Sequence, residues 1–201
     1  VLYEMLNARA DALAERVFPP WTDMEEMLRA GRLPLRSLES RRPLHEFDVV
    51  AFSLGYELTY TNVLTVLDLG RIPLLRQERT GQHPLVIAGG SCAVNPEPMA
   101  DFVDLFFIGE AEDELGALID CMRAHQGDRA GLLRAAAGLD AIYVPSLYAP
   151  HYDRDGAFGS LEPIAADVPC LIQRAIVPVL PPPPTRPVVP FMEAVHDYGS
   201  I

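Results

Sequence analysis

The stretch that decides the fold is H-P-L-V-I-A-G-G-S-C-A-V-N-P-E-P-M-A-D, His83 to Asp101. A short apolar run, Leu85 to Ala88, meets Gly89-Gly90, then the small residues Ser91, Cys92 and Ala93 and an Asn95-Pro96 pair where a helix can begin. A buried parallel strand has this near-continuous apolar character, because helices cover both of its faces. Two glycines remove both Cβ atoms at the carboxyl end of the strand, where open α/β sheets bring ligands to the backbone. A tight strand-to-helix turn uses the same residues. The pattern therefore marks a ligand edge without naming a ligand.

Similar units lie on either side. Asp48 to Leu54 (D-V-V-A-F-S-L) reads as a central parallel strand ending in Gly55-Tyr56-Glu57. A helix is expected over Leu58 to Leu69, with Tyr60, Val63, Leu64 and Leu67 on one face and Gly70 as its stop. Arg71 to Pro84 reads as a polar connection, and a short helix is expected over Pro96 to Phe102. Val103 to Ile108 is a third strand, ending in Gly109-Glu110. Glu112, Asp113 and Glu114 then open a helix over Leu115 to Ala124, placing negative charge at the positive end of its dipole. Such alternation predicts an open parallel sheet with helices on both faces. The three loops share one rim, so Ser53, Gly55, Tyr56, Glu57, Gly89, Gly90, Ser91, Gly109 and Glu110 are the candidate cofactor-binding residues. For Glu57, helix capping and an exposed first turn are the favoured explanation.

The flanks are less regular. Val1 to Ala12 has helical spacing, Arg16-Val17-Phe18 reads as a short strand, and Thr22 caps a helix over Asp23 to Ala30. Leu33 to Leu38 is a weak strand interrupted by Pro34 and Arg36. After Gly127 come a small helix, Arg129 to Ala137, an extended segment, Ile142 to Tyr148, and a hairpin turn at Asp153-Arg154-Asp155-Gly156. Eleven of the 19 prolines lie from Pro145 onward, and Pro181 to Pro184 form a semi-rigid spacer. The expected organisation is an α/β domain over 1–148, a Pro-rich connector with a hairpin over 149–190, and the start of a further unit over 191–201. The chain opens at Val1 within a helix pattern and stops at Ile201 without a cap, as expected of a segment of a longer protein.

Composition narrows the function classes. With 201 residues and 49% apolar content the chain can bury a real core. Its 28 acidic against 16 basic residues, a net charge of −12, disfavour nucleic acid as the main partner, since phosphate backbones call for a basic stripe. No apolar run approaches the roughly 20 residues of a membrane span. Cys92, Cys121 and Cys170 follow neither a disulfide framework nor a zinc spacing and read as small apolar residues in a reducing compartment, with the cytoplasm as default. His45, His83, His125, His151 and His196 show no paired metal spacing. Nothing forms a self-contained catalytic constellation, so catalytic and metal-ligating residues are expected to be absent and binding is the expected role.

Four blocks in order carry a resemblance: S-L-E-S-R-R-P-L-H-E-F-D (37–48), F-S-L-G-Y-E-L-T-Y-T-N-V-L (52–64), V-I-A-G-G-S-C-A-V-N-P-E-P (86–98) and I-G-E-A-E-D-E-L (108–115). Together they resemble the N-terminal region of a fused radical-SAM family, in which a cobalamin-binding-like domain precedes a radical-SAM barrel. The closing E-A-V-H-D-Y-G-S-I (193–201) resembles the strand that leads into that barrel.

The resemblance implies a flavodoxin-like α/β domain, incomplete at its N-terminus, whose partners are its own barrel and a small-molecule cofactor. It implies a parent enzyme that binds a [4Fe–4S] cluster and S-adenosylmethionine for radical chemistry. It also implies that Ser53 and Gly89-Gly90 flank the nucleotide tail of a cobalamin. Two motifs depart from that pattern. Leu54 directly follows Ser53, where corrinoid binders have S-x-L, and no D-x-H-x-x-G supplies a cobalt-ligating histidine. The C-x-x-x-C-x-x-C spacing that holds a radical-SAM cluster is absent as well, so its ligands are expected outside this chain. The alternative is a non-catalytic α/β interaction module that no longer binds corrinoid.

Overall fold

The computed structural model describes residues 1–179. Strands β1 (Val49–Ser53), β2 (Leu85–Gly89), β3 (Leu105–Phe107) and β4 (Ile142–Tyr143) form one sheet in the order β1-β2-β3-β4. The pairs β1–β2 and β2–β3 are parallel and β3–β4 is antiparallel. The chain is therefore an α/β protein with a mostly parallel open sheet, consistent with a flavodoxin-like arrangement. Among the described residues no helix is long and apolar enough to cross a membrane.

Strand periodicity sorts the core into two layers. Val50, Val86, Ala88 and Phe106 point to one face, where Val63, Val66 and Leu67 of helix α3 (Tyr60–Leu69) cover them. Leu85, Ile87, Leu105 and Phe107 point to the other, against Leu118 of α4 (Leu115–Ala124) and Leu132 and Ala136 of α5 (Arg129–Ala136). Among the described residues β1 lies at the sheet edge rather than the centre, and Ala51 and Ser53 are exposed. The α4–α5 layer covers β2 and β3 but reaches β1 only at the partly buried Val49, so an apolar run expected to be covered twice is left open at Ala51 and Ser53.

The antiparallel β4 also differs from expectation. A single crossover helix returns the chain to the amino edge and yields a parallel strand. Here α4 and α5 follow in succession and deliver the chain to the carboxyl edge instead. Ala141, in a left-handed conformation at φ 60°, turns it into β4. Helix α1 (Leu2–Ala8) is shorter than expected, and α2 (Thr22–Gly31) begins at Thr22, which makes no side-chain cap bond. Segments 16–18 and 33–38 form no strands; Leu38 N–H donates to Arg16 O, and Arg36 makes an isolated bridge to Pro43. The segment after Asn95 is a single 3-10 turn, Glu97–Met99, rather than a helix. β5 (Tyr148–Tyr152) and β6 (Phe158–Pro163) pair antiparallel around the expected turn. The Pro181–Pro184 spacer and the 193–201 strand lie outside the described residues.

The amino edge of the sheet is tied by a buried ion cluster. Asp104 Oδ2 accepts from Arg79 Nη1 at 3.1 Å, Arg129 Nη2 at 2.6 Å and the Val86 amide at 2.8 Å. Arg79 has a side chain 0% exposed and donates further to Pro73 O, Leu74 O and Phe102 O. Its place in an otherwise polar connection gives no local sign of this burial. Burial pushes its pKa down, against the upward pull of Asp104.

A buried aromatic group joins the two strand layers. The Tyr143 ring packs 6.2 Å from Phe106 and 5.0 Å from Tyr148, and its hydroxyl donates to Glu97. Burial, then the Glu97 carboxylate, raises the Tyr143 pKa far above the usual tyrosine value; burial raises Tyr148 as well. A raised folded-state pKa adds stability that is complete below the unfolded value of about 10 and is lost as pH rises beyond it. Tyr143→Phe is expected to cost about 1 kcal/mol at neutral pH. It should also flatten the alkaline decline. Denaturant midpoints at about pH 8 and about pH 10.5 check this; equal declines in both proteins would refute it.

Candidate functional site

The carboxyl rim of β1, β2 and β3 brings the sequence-identified residues onto one edge. Ser53 pairs in register with Gly89, and Leu54 N–H donates to Gly89 O at 2.6 Å, extending the ladder by one bond. Cys92 N–H donates to Leu54 O at 2.9 Å and Ser91 Oγ to Gly55 O at 3.1 Å, so the first two loops are laced together. Ser53, Gly55, Tyr56 and Glu57 are exposed, with Tyr56 57% exposed. Glu57 opens a 3-10 turn, Glu57–Thr59, that runs directly into α3.

Gly90 adopts φ +103°, and a Cβ there would lie 2.9 Å from Leu54 O and 3.0 Å from Leu54 N. Its missing side chain makes room for the neighbouring strand's own backbone. Gly89, by contrast, would place a Cβ in ordinary contact with Phe107, and Gly55 faces open space.

The third loop is covered by the chain itself. Gly109, at φ +106°, packs against the Ala175 backbone, where an added Cβ would meet Ala175 N at 2.8 Å and clash with Ala175 O. Ala175 pairs in parallel with Gly109: its amide donates to Ile108 O at 2.9 Å, and Glu110 N–H donates to Ala175 O at 3.1 Å. The Glu110 carboxylate accepts from Val177 N–H at 2.5 Å. Tandem ladder bonds of this kind add a short strand-like segment beyond β3. A small cavity of about 170 Å³ beside it is lined by Glu110, Asp113, Glu114, Asp140 and Arg174, four carboxylates to one guanidinium.

The cysteines do not converge. Cys92 packs with the α3 layer, Cys121 with the α4–α5 layer across the sheet, and Cys170 is exposed. Among the described residues no group of three or more His, Cys, Asp or Glu side chains could hold a metal ion. His45 contacts Gly70 O, His83 contacts Thr80, His125 contacts Cys121 and His151 contacts Glu162; His196 lies outside the described residues. None of these contacts involves a rim loop. The polar group that sequence reading missed is the Arg79–Asp104–Arg129 cluster at the opposite edge. Its one available signal was a carboxylate inside the apolar run 103–108, since a buried charge needs a partner.

A family model for the N-terminal region of radical SAM proteins matches residues 1–145. No curated protein and no solved structure matches the chain. The family match spans most of the 201 residues, including the whole four-stranded sheet, and the chain belongs to the family of radical SAM protein N-terminal regions.

Proposed function

We propose that this chain is the non-catalytic N-terminal module of a radical SAM enzyme and that its carboxyl rim is the face on which the catalytic domain of that enzyme rests. One observation carries the docking reading. The parallel pairing of Ala175 with Gly109, with the Val177 amide donating to Glu110, runs residues 175–177 alongside the third rim loop, so the last described residues lie beside the rim. Tyr56, Leu58 and Val94 on this side are 57%, 74% and 64% exposed, apolar surface suited to burial against a neighbouring domain.

The [4Fe–4S] cluster and S-adenosylmethionine supply radical initiation in such enzymes. Cys92, Cys121 and Cys170 do not fit as ligands to that cluster, because Cys92 and Cys121 pack on opposite faces of the sheet and Cys170 is exposed outside both layers. In this reading the ligands come from the catalytic domain, and the module shields its mouth.

A corrinoid fits the rim poorly. The space freed by Gly90 is filled by Leu54 and that freed by Gly109 by Ala175, which leaves no cradle at either position for a nucleotide tail. Ser53, Tyr56 and Glu57 are then available to contact a protein surface, together with Gly89 and Ser91 beside them, whereas Glu110 holds the returning segment at Val177.

Full-length protein reconstituted anaerobically with iron and sulfide should show a reduced [4Fe–4S] signal by electron paramagnetic resonance that changes on adding S-adenosylmethionine. Hydrogen exchange should find peptides across 55–59 and 90–94 protected in that protein, although several of these residues are exposed in the module. Unprotected rim peptides would sink the docking reading. Stoichiometric corrinoid retained after incubation with hydroxocobalamin and desalting would replace it with a cofactor-binding one.

A further inference from the structure

We infer that the cavity at the amino edge of the sheet is a binding site for a small phosphate monoester. It has a volume of about 300 Å³ and is lined by Arg76, Arg79, Thr80, Asp104, Arg129 and Ser146, with Gly81 and apolar atoms of α5 completing its wall. That volume lies at the lower end of small-molecule sites. It sits on the edge opposite the carboxyl rim, since Pro84 and Asp104 immediately precede β2 and β3.

The charge inventory points to a dianion. Three guanidiniums face one carboxylate, a local surplus of two positive charges in a chain whose net charge is −12. A phosphate monoester carries roughly −1.5 to −2 at neutral pH, which matches that surplus, whereas a monocarboxylate matches half of it. Guanidinium forks also fit phosphate oxygens in pairs.

The arginines divide the work. Arg79 is committed to Asp104 and three backbone carbonyls, and Arg129 to Asp104, His83 O and Pro84 O, so both are fixed in place. Arg76 uses only Nε, donating to Ala100 O at 2.9 Å; its two terminal nitrogens make no hydrogen bond among the described residues. The Ser146 hydroxyl likewise has no partner among them. Arg76 and Ser146 therefore supply free donors above a rigid positive floor, an arrangement whose ordering cost is already met before a ligand arrives.

Titration calorimetry on the full-length protein tests this with ribose 5-phosphate and inorganic phosphate, each at ionic strength matched with sodium chloride. Saturable binding of ribose 5-phosphate is expected, and Arg76→Gln should weaken it about tenfold or more, the effect of losing a charged hydrogen bond. Arg76→Lys should recover part of the loss. Arg76 is partly buried and its one side-chain hydrogen bond is to Ala100 O, so the melting temperature of the unliganded variants should fall by no more than about 4 °C. Saturable binding of inorganic phosphate alone would keep the phosphate chemistry and assign the site to the free anion. Absence of saturable binding by either probe, or undiminished binding by Arg76→Gln, would overturn the inference.

Discussion

Asp104→Ala is expected to destabilise the protein by about 3 kcal/mol, because it leaves the buried Arg79 and the partly buried Arg129 without their counter-charge. Asp104 is 3% exposed and joins Arg79, Arg129 and the Val86 amide through one oxygen. Its loss uncouples the 76–84 connection, β2, β3 and α5 together. The melting temperature should fall by roughly 10 °C, given about 2–4 °C per kcal/mol for a chain of this size. Thermal and chemical denaturation check the value. A loss below about 1 kcal/mol would mean that the cluster behaves as a solvent-screened surface pair.

Gly90→Ala is expected to cost about 3 kcal/mol, the upper end of the range for forcing a side chain into a glycine-only conformation. The backbone at Gly90 has φ +103° and ψ −179°, and the new Cβ would press on Leu54, whose side chain is 2% exposed in the core. Relief would require separating the first two rim loops and breaking the Cys92–Leu54 bond. Gly55→Ala is the matched control: its Cβ meets nothing within 4 Å, so its effect should stay within about 0.5 kcal/mol. Urea midpoints for the two variants decide the matter, and equal values would remove the packing explanation for Gly90.

These two glycines differ in what a side chain would meet. A Gly-Gly pair after an apolar run identifies a close backbone approach, since no other residue permits it. What approaches is a non-local matter. At Gly90 it is Leu54, and at Gly109 it is Ala175, more than sixty residues further along the chain. No spacing rule connects Gly109 to Ala175, because their contact depends on where the β5–β6 hairpin returns the chain. Arg79 illustrates the same limit: flanked by Gln77, Glu78 and Thr80, it reads as solvated, yet Asp104 and three carbonyls enclose it.

The sequence by itself determined the α/β class, the three parallel-strand cores around Val50, Val86 and Leu105–Phe107, and helices α3, α4 and α5 within a few residues. Those features follow from local periodicity, glycine stops and acidic first turns, which act over a single element. Tertiary structure alone decided that β1 lies at the edge and β4 runs antiparallel, and which partner fills the space at Gly90 and Gly109. It also decided that Arg76, Arg79, Asp104 and Arg129 gather around one cavity. The physical reason is that burial and ion pairing depend on which distant segments share a face, and that is settled only when the layers pack.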